Sequence, residues 1–206
     1  MNVSVLSVFI PTFFFVSITP GMCMTLAMTM GMTIGVRRAL WMMLGELCGV
    51  GLVAVSSAVG VAALLLNYPD AFVIFKYVGG AYLAYIGIQM WRSKGKMAIQ
   101  SSEGEKKGAT RIELASQGFM TAIANPKGWA FLVALLPPFI SSDAPMLGQL
   151  SILILIILSL EFICLLIYAT GGRTLRTLLQ QRGNVKLMNR IAGSLMFGVG
   201  VWLAMG

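Results

Sequence analysis

From about Leu147 to Thr170 the chain carries a single charge, Glu161, and five further stretches are nearly as apolar. A helix that crosses a bilayer needs roughly 20 apolar residues in succession. The other stretches run from about Val5 to Met30, Leu40 to Leu66, Phe72 to Trp91, Leu114 to Phe139 and Ile191 to Met205. Turn chemistry separates them at Asn67-Tyr68-Pro69-Asp70, at Ser141 to Pro145 and at Gly171-Gly172. A polar segment, Arg92 to Arg111, divides the third stretch from the fourth. Only 11% of the residues are charged and 58% are hydrophobic, too little polar surface for a domain in water. In 206 residues, six spans leave no room for a soluble domain. The expectation is a single all-α integral membrane domain over residues 1–206.

The basic residues predict an orientation. Arg37 and Arg38 fall in the first connector. Arg92, Lys94, Lys96, Lys106, Lys107 and Arg111 fall in the third, and Arg173, Arg176, Arg182, Lys186 and Arg190 in the fifth. The second and fourth connectors carry only Asp70 and Asp143. Cytoplasmic loops of membrane proteins are enriched in Lys and Arg. Both termini are therefore expected outside, on the periplasmic face of a bacterial inner membrane. The first basic residue, Arg37, follows the first span, so the N-terminal apolar stretch is expected to be a retained helix and not a cleaved leader. The net charge of +8 is explained by these loops and calls for no nucleic acid.

Three spans on each side of the polar linker would place the second half upside down relative to the first. Landmarks repeat between the halves. Gly80 and Gly87 in the third span match Gly193 and Gly200 in the sixth. Thr19-Pro20-Gly21 in the first span matches Asn125-Pro126-Lys127 in the fourth, and Glu46 in the second matches Glu161 in the fifth. Two inverted three-helix repeats are expected, about 1–91 and about 113–206, joined by a cytoplasmic linker at about 92–112. That architecture places a substrate site near the midplane, between the halves.

Proline inside a helix removes a backbone hydrogen bond, and in lipid the freed carbonyl must find another partner. Pro20-Gly21 and Asn125-Pro126 are therefore expected to break two helices. The exposed half-helix ends, with Lys127, could hold the carboxylate and ammonium of a zwitterion. Charges inside spans are costly and usually face a cavity or a partner. Glu46 and Glu161 are the candidates for carrying coupled protons, or alternatively for one structural pair with a lysine, since the chain has no histidine. Lys76 lies near a span end and is expected to snorkel. Cys23, Cys48 and Cys164 form no disulfide or zinc pattern and are read as small hydrophobes. Met22, Met24, Met28, Met30 and Met32 would suit Cu(I), but they occupy several helix faces and read better as pliable filler. No cofactor or metal site is expected.

Pro20-Gly21, the run Gly79 to Gly87, Asn125-Pro126-Lys127 and the run Ala134 to Ile140 stand in an order and spacing that resembles the lysine-exporter superfamily, in particular its homoserine/threonine (RhtB-like) branch. Met22 stands where the family often has a second proline, and the acid that several members carry near the position of Val50 is here Glu46, one turn earlier. The resemblance implies a secondary transporter, not an enzyme, that exports small amino acids or derivatives against protons. Rival readings are metal efflux, which would need Cys23 and the methionines, a membrane-embedded enzyme, for which no nucleophile–base pair is visible, and a scaffold. Monomer and homodimer both remain open.

Overall fold

The computed structural model describes residues 3–93, 108–136, 139–140 and 145–205. The linker Ser101 to Lys107, Pro137-Pro138 and residues 141–144 lie outside the described residues, as does the side chain of Lys76 and with it the snorkelling expected of that lysine. Eight helices are described: α1 (Val3–Ile18), α2 (Met22–Ile34), α3 (Val36–Asn67), α4 (Pro69–Arg92), α5 (Arg111–Ile123), α6 (Pro126–Leu135), α7 (Met146–Gln180) and α8 (Arg182–Met205). The described residues include no strand. By length and composition α3 and α7 can each cross a membrane, and α1 with α2, bent by 58° at their break, counts as a third only if the pair is one span and not a re-entrant loop.

Local chemistry sets the helix starts. Thr110 and Glu113 form a reciprocal capping box on α5, with Thr110 N–H to Glu113 at 2.7 Å. Pro69 occupies the first turn of α4, where a missing N–H costs nothing, and Asp70 beside it complements the helix dipole. Asn125 caps α6, followed by Pro126.

The fifth connector corrects the sequence expectation. It is helical: α7 turns at Gly172 (φ 40°), continues to Gln180, and α8 begins at Arg182. The reason is an amphipathic pattern within the basic segment. Leu179 and Val185 are buried, and Leu175 and Met188 pack with them against the methionines of α2. Ile191 to Met205 is thus the second part of a longer helix.

α4 lies along α8, α3 along α5, and α2 along α7. Two crossings depend on the lack of a side chain. A Cβ at Gly87 would stand 2.6 Å from the Gly193 carbonyl, and one at Gly193 would stand 2.5 Å from the Gly87 carbonyl. Gly200 meets the Gly80 carbonyl in the same manner. Between α3 and α5, Gly45 lies on the backbone of Ala115 and Gly118 on that of Met42.

The core has two parts. One is aromatic: Phe9, Phe13, Phe131 and Phe139, with Phe9 and Phe139 edge to face at 4.9 Å. The other is rich in methionine, with Met24, Met28, Met30, Met42 and Met43 around Tyr168. Beyond the methionine part lie basic helix ends. Arg38 donates to the Ala109 carbonyl, Arg111 lies over Trp41 at 5.2 Å and Arg190 over Trp91 at 4.7 Å.

Candidate functional site

Between the two core regions both proline-bearing helices are interrupted. Pro20 has no N–H, so the Val16 carbonyl four residues earlier loses its helical donor. The Lys127 ammonium, from the start of α6, donates to that carbonyl at 3.1 Å. The Ile18 carbonyl, at the end of α1, accepts from the Tyr168 hydroxyl of α7 at 2.7 Å. Tyr168 is itself buried. No side chain caps the start of α2.

The second interruption is closed by its own neighbours. Asn125 N–H donates to the Ala122 carbonyl at 3.2 Å. The Asn125 side-chain oxygen accepts from Lys127 N–H at 3.2 Å, and the Trp129 indole donates to the Ile123 carbonyl at 2.9 Å. One bond reaches across: Asn125 Nδ2 to the Cys23 sulfur at 3.6 Å.

A cleft with about 610 Å³ of empty space, its open mouth included, lies between the interruptions. Gly21, Asn125, Lys127, Glu46 and Glu161 all line it. Pro20 shapes the break without lining the cleft. Phe13, Val53 and Phe131 give it apolar walls. Glu46 and Val50 both line it, as residues four apart on a helix share a face. An acid at either position therefore reaches the same space.

Glu46 is 0% exposed. The groups that face it are the Glu161 carboxyl and the Cys23 thiol. Glu161, also buried, faces the Ser17 hydroxyl, Lys127 and Glu46. Two acids and one lysine thus share a small, mostly apolar space, and a proton shared between the carboxyls would satisfy both.

Sequence reasoning missed Cys23, Ser17 and Tyr168. Cys23 follows the Pro-Gly break by two residues, which could have marked it as cleft-facing. Tyr168 carried no signal, because its role depends on a carbonyl distant in sequence.

Residues 14–206 match the family described as LysE type translocator. The chain belongs to that family. It is a membrane transporter and not an enzyme. This LysE-type translocator is 31% identical over 188 residues to a homoserine/homoserine lactone efflux protein of Salmonella typhi, covering 91% of this chain and 90% of that one. It is 27% identical over 196 residues to a leucine efflux protein of Enterobacter, covering 93% and 90%. A membrane protein of Vibrio cholerae with no assigned function is 27% identical over 204 residues, 99% of this chain and 98% of the other. No solved structure matches the translocator.

Proposed function

We propose that the protein exports small amino acids or their derivatives from the cytoplasm across a bacterial inner membrane, in exchange for protons. The observation that carries this reading is the meeting of two interrupted helices over one cleft that holds Glu46, Glu161 and Lys127. The efflux proteins among its relatives support the substrate class.

On this reading the six spans are α1 with α2, α3, α4, α5 with α6, α7, and α8. They form two inverted repeats, about 1–91 and 113–206, with the linker at about 92–112. The glycine contacts support the symmetry: in an antiparallel pair, Gly80 and Gly87 of one helix meet Gly200 and Gly193 of the other. The basic helix ends face the cytoplasm and both termini face outward. The reading holds for a monomer or a homodimer.

The helix breaks at Pro20-Gly21 and Asn125-Pro126 hold substrate head groups, with Lys127 near the carboxylate and the acids near the ammonium. Rocking of one repeat against the other alternates access. A proton on the Glu46–Glu161 pair favours one state because the two states bind it with different affinity.

The test is export from cells that express the protein and are loaded with dipeptides, following every amino acid in the medium with and without an uncoupler. Faster appearance of a defined few, lost on uncoupling, is expected. No change for any amino acid or derivative, with the protein present in the membrane, would remove the proposal.

A further inference from the structure

α4 turns a narrow face to the rest of the protein. Of its residues whose side chains are described, only Gly79, Gly80, Leu83 and Gly87 are buried. Where α4 crosses α8, Gly87 and Gly193 bring the two backbones together with no side chain between them. The crossing opens outward as a groove with about 580 Å³ of empty space, its open side included. Ile88 and Phe197, both exposed, give it apolar walls. With α4 and α8 read as spans, those walls meet acyl chains and not water.

One end of the groove is polar and cationic. The Trp91 indole donates to the Ser194 hydroxyl at 2.9 Å, and both residues line the groove. The Arg190 guanidinium lies over the Trp91 ring at 4.7 Å. Asn189, itself buried, donates to the Ser93 hydroxyl at 2.9 Å, so two side-chain bonds join α4 to α8 at this end. Arg92 follows Trp91, is exposed and lines the groove. Lys186 lies one turn from Arg190, on the same face of α8. The acids among the described residues stand elsewhere. Glu46 and Glu161 line the cleft, Glu113 caps α5, and Asp70 is in the first turn of α4, at its other end.

These features select a ligand by chemistry. A guanidinium stacked on an indole keeps its planar fork of N–H donors, which matches phosphate. A soluble anion would use the arginines and leave the apolar trough unfilled. A hydrocarbon chain alone would use the trough and leave the arginines unanswered. A lipid with a phosphate head and a net negative charge uses both, and basic pockets between membrane helices bind such heads.

We propose that the groove between α4 and α8 is a binding site for one acidic phospholipid, its phosphate at Arg92 and Arg190 and one acyl chain along the crossing of Gly87 with Gly193. The site goes beyond the export reading and rests on it only in taking α4 and α8 as spans. A zwitterionic lipid gains less there, because its own cation lies beside the arginines. Arg111 over Trp41 supplies an internal control: it is a second arginine–tryptophan pair, and neither residue lines this groove.

The experiment is native mass spectrometry of the full chain in detergent, titrated with phosphatidylglycerol or with phosphatidylcholine of identical acyl chains. One phosphatidylglycerol should be retained with about a 25-fold preference over phosphatidylcholine, about fivefold for each arginine near the head group. Arg92→Gln with Arg190→Gln should reduce the preference to within about twofold, while Arg111→Gln leaves it unchanged. Monodisperse elution checks that each variant folds, and the comparison of the two lipids on the unaltered protein needs no variant. Glycerol 3-phosphate, a head without chains, should not displace the lipid at equal concentration. Equal retention of the two lipids would overturn the site. So would displacement by glycerol 3-phosphate, or a loss in Arg111→Gln as large as in the double variant. A dimeric mass that excludes the lipid would do the same, by seating a second copy of the chain in the groove. Export is read separately in cells, so absence of the lipid preference leaves it in place. Absence of export with the preference intact removes the export reading alone.

Discussion

The two helix breaks look alike in sequence and are held in opposite ways. The break at Asn125-Pro126 is closed mainly by groups within a few residues: the Asn125 backbone and side chain and the Trp129 indole. The break at Pro20-Gly21 has local bonds as well, from Thr19 to the Phe15 carbonyl and from Thr25 to the Gly21 carbonyl, but its Val16 and Ile18 carbonyls are served from the other half of the chain, by Lys127 and Tyr168. A locally capped break keeps its shape when its surroundings move. A break capped by distant residues is stable only while those residues stay in place. The α1–α2 break is thus coupled to the position of α6 and α7, and the α5–α6 break is close to self-sufficient. In an alternating-access cycle the first is the element whose geometry reports the state of the cleft.

The largest way to break this comparison is Lys127→Met. It strands the Val16 carbonyl and removes the cation facing Glu161. About 3 kcal/mol of stability should be lost, the scale for a buried charge left unpaired, and export should fall more than about 100-fold. Thermal unfolding in detergent and the dipeptide export assay read the two effects. Partial recovery of stability, but not of export, is expected in Lys127→Met with Glu161→Gln, because the Val16 carbonyl stays without its donor. Next comes Tyr168→Phe, which removes only the hydroxyl from a buried site. An orphaned carbonyl there should cost about 1–3 kcal/mol. Wild-type stability in Tyr168→Phe would show that the Ile18 carbonyl is satisfied some other way.

A smaller effect sharpens the comparison. Pro20→Ala restores an N–H that can serve the Val16 carbonyl within α1. Lys127 then has less to do at the break, so the double variant Pro20→Ala with Lys127→Met should be about 1 kcal/mol more stable than the two single changes sum to. Additivity would mean that Lys127 matters through Glu161 alone.

What was legible in the sequence follows the same division. Both breaks could be read, because proline's missing N–H is a property of the residue itself. The two acids could be read because an isolated charge in an apolar run demands a reason. The apolar stretches located the described helices to within a few residues at most ends. The fifth connector was misread because its arginines hid the periodic apolar face of Leu175, Leu179, Val185 and Met188. What no local pattern could supply was which distant group serves which carbonyl. Lys127 was noticed as a charge near a break in its own helix, yet its hydrogen bond serves the other break. Cys23 reads as a small hydrophobe in the sequence, and the approach of Asn125 and Glu46 places it in the cleft.

The smallest expected effect tests the self-sufficient break. Trp129→Phe keeps an aromatic ring on α6 and removes the indole N–H from the Ile123 carbonyl. Trp129 is 37% exposed, at the edge of the packed core. About 0.5–1 kcal/mol should be lost, an ordinary net hydrogen bond. Export should change less than about twofold, because the lost bond joins α5 to α6 and does not tie one half of the chain to the other. The discriminating quantity is the ratio between the two readouts. Tyr168→Phe should lower export by more than its loss of stability accounts for, and Trp129→Phe should not. If both lower export in the same proportion to stability, the breaks are equivalent, and the difference in how they are capped has no bearing on transport.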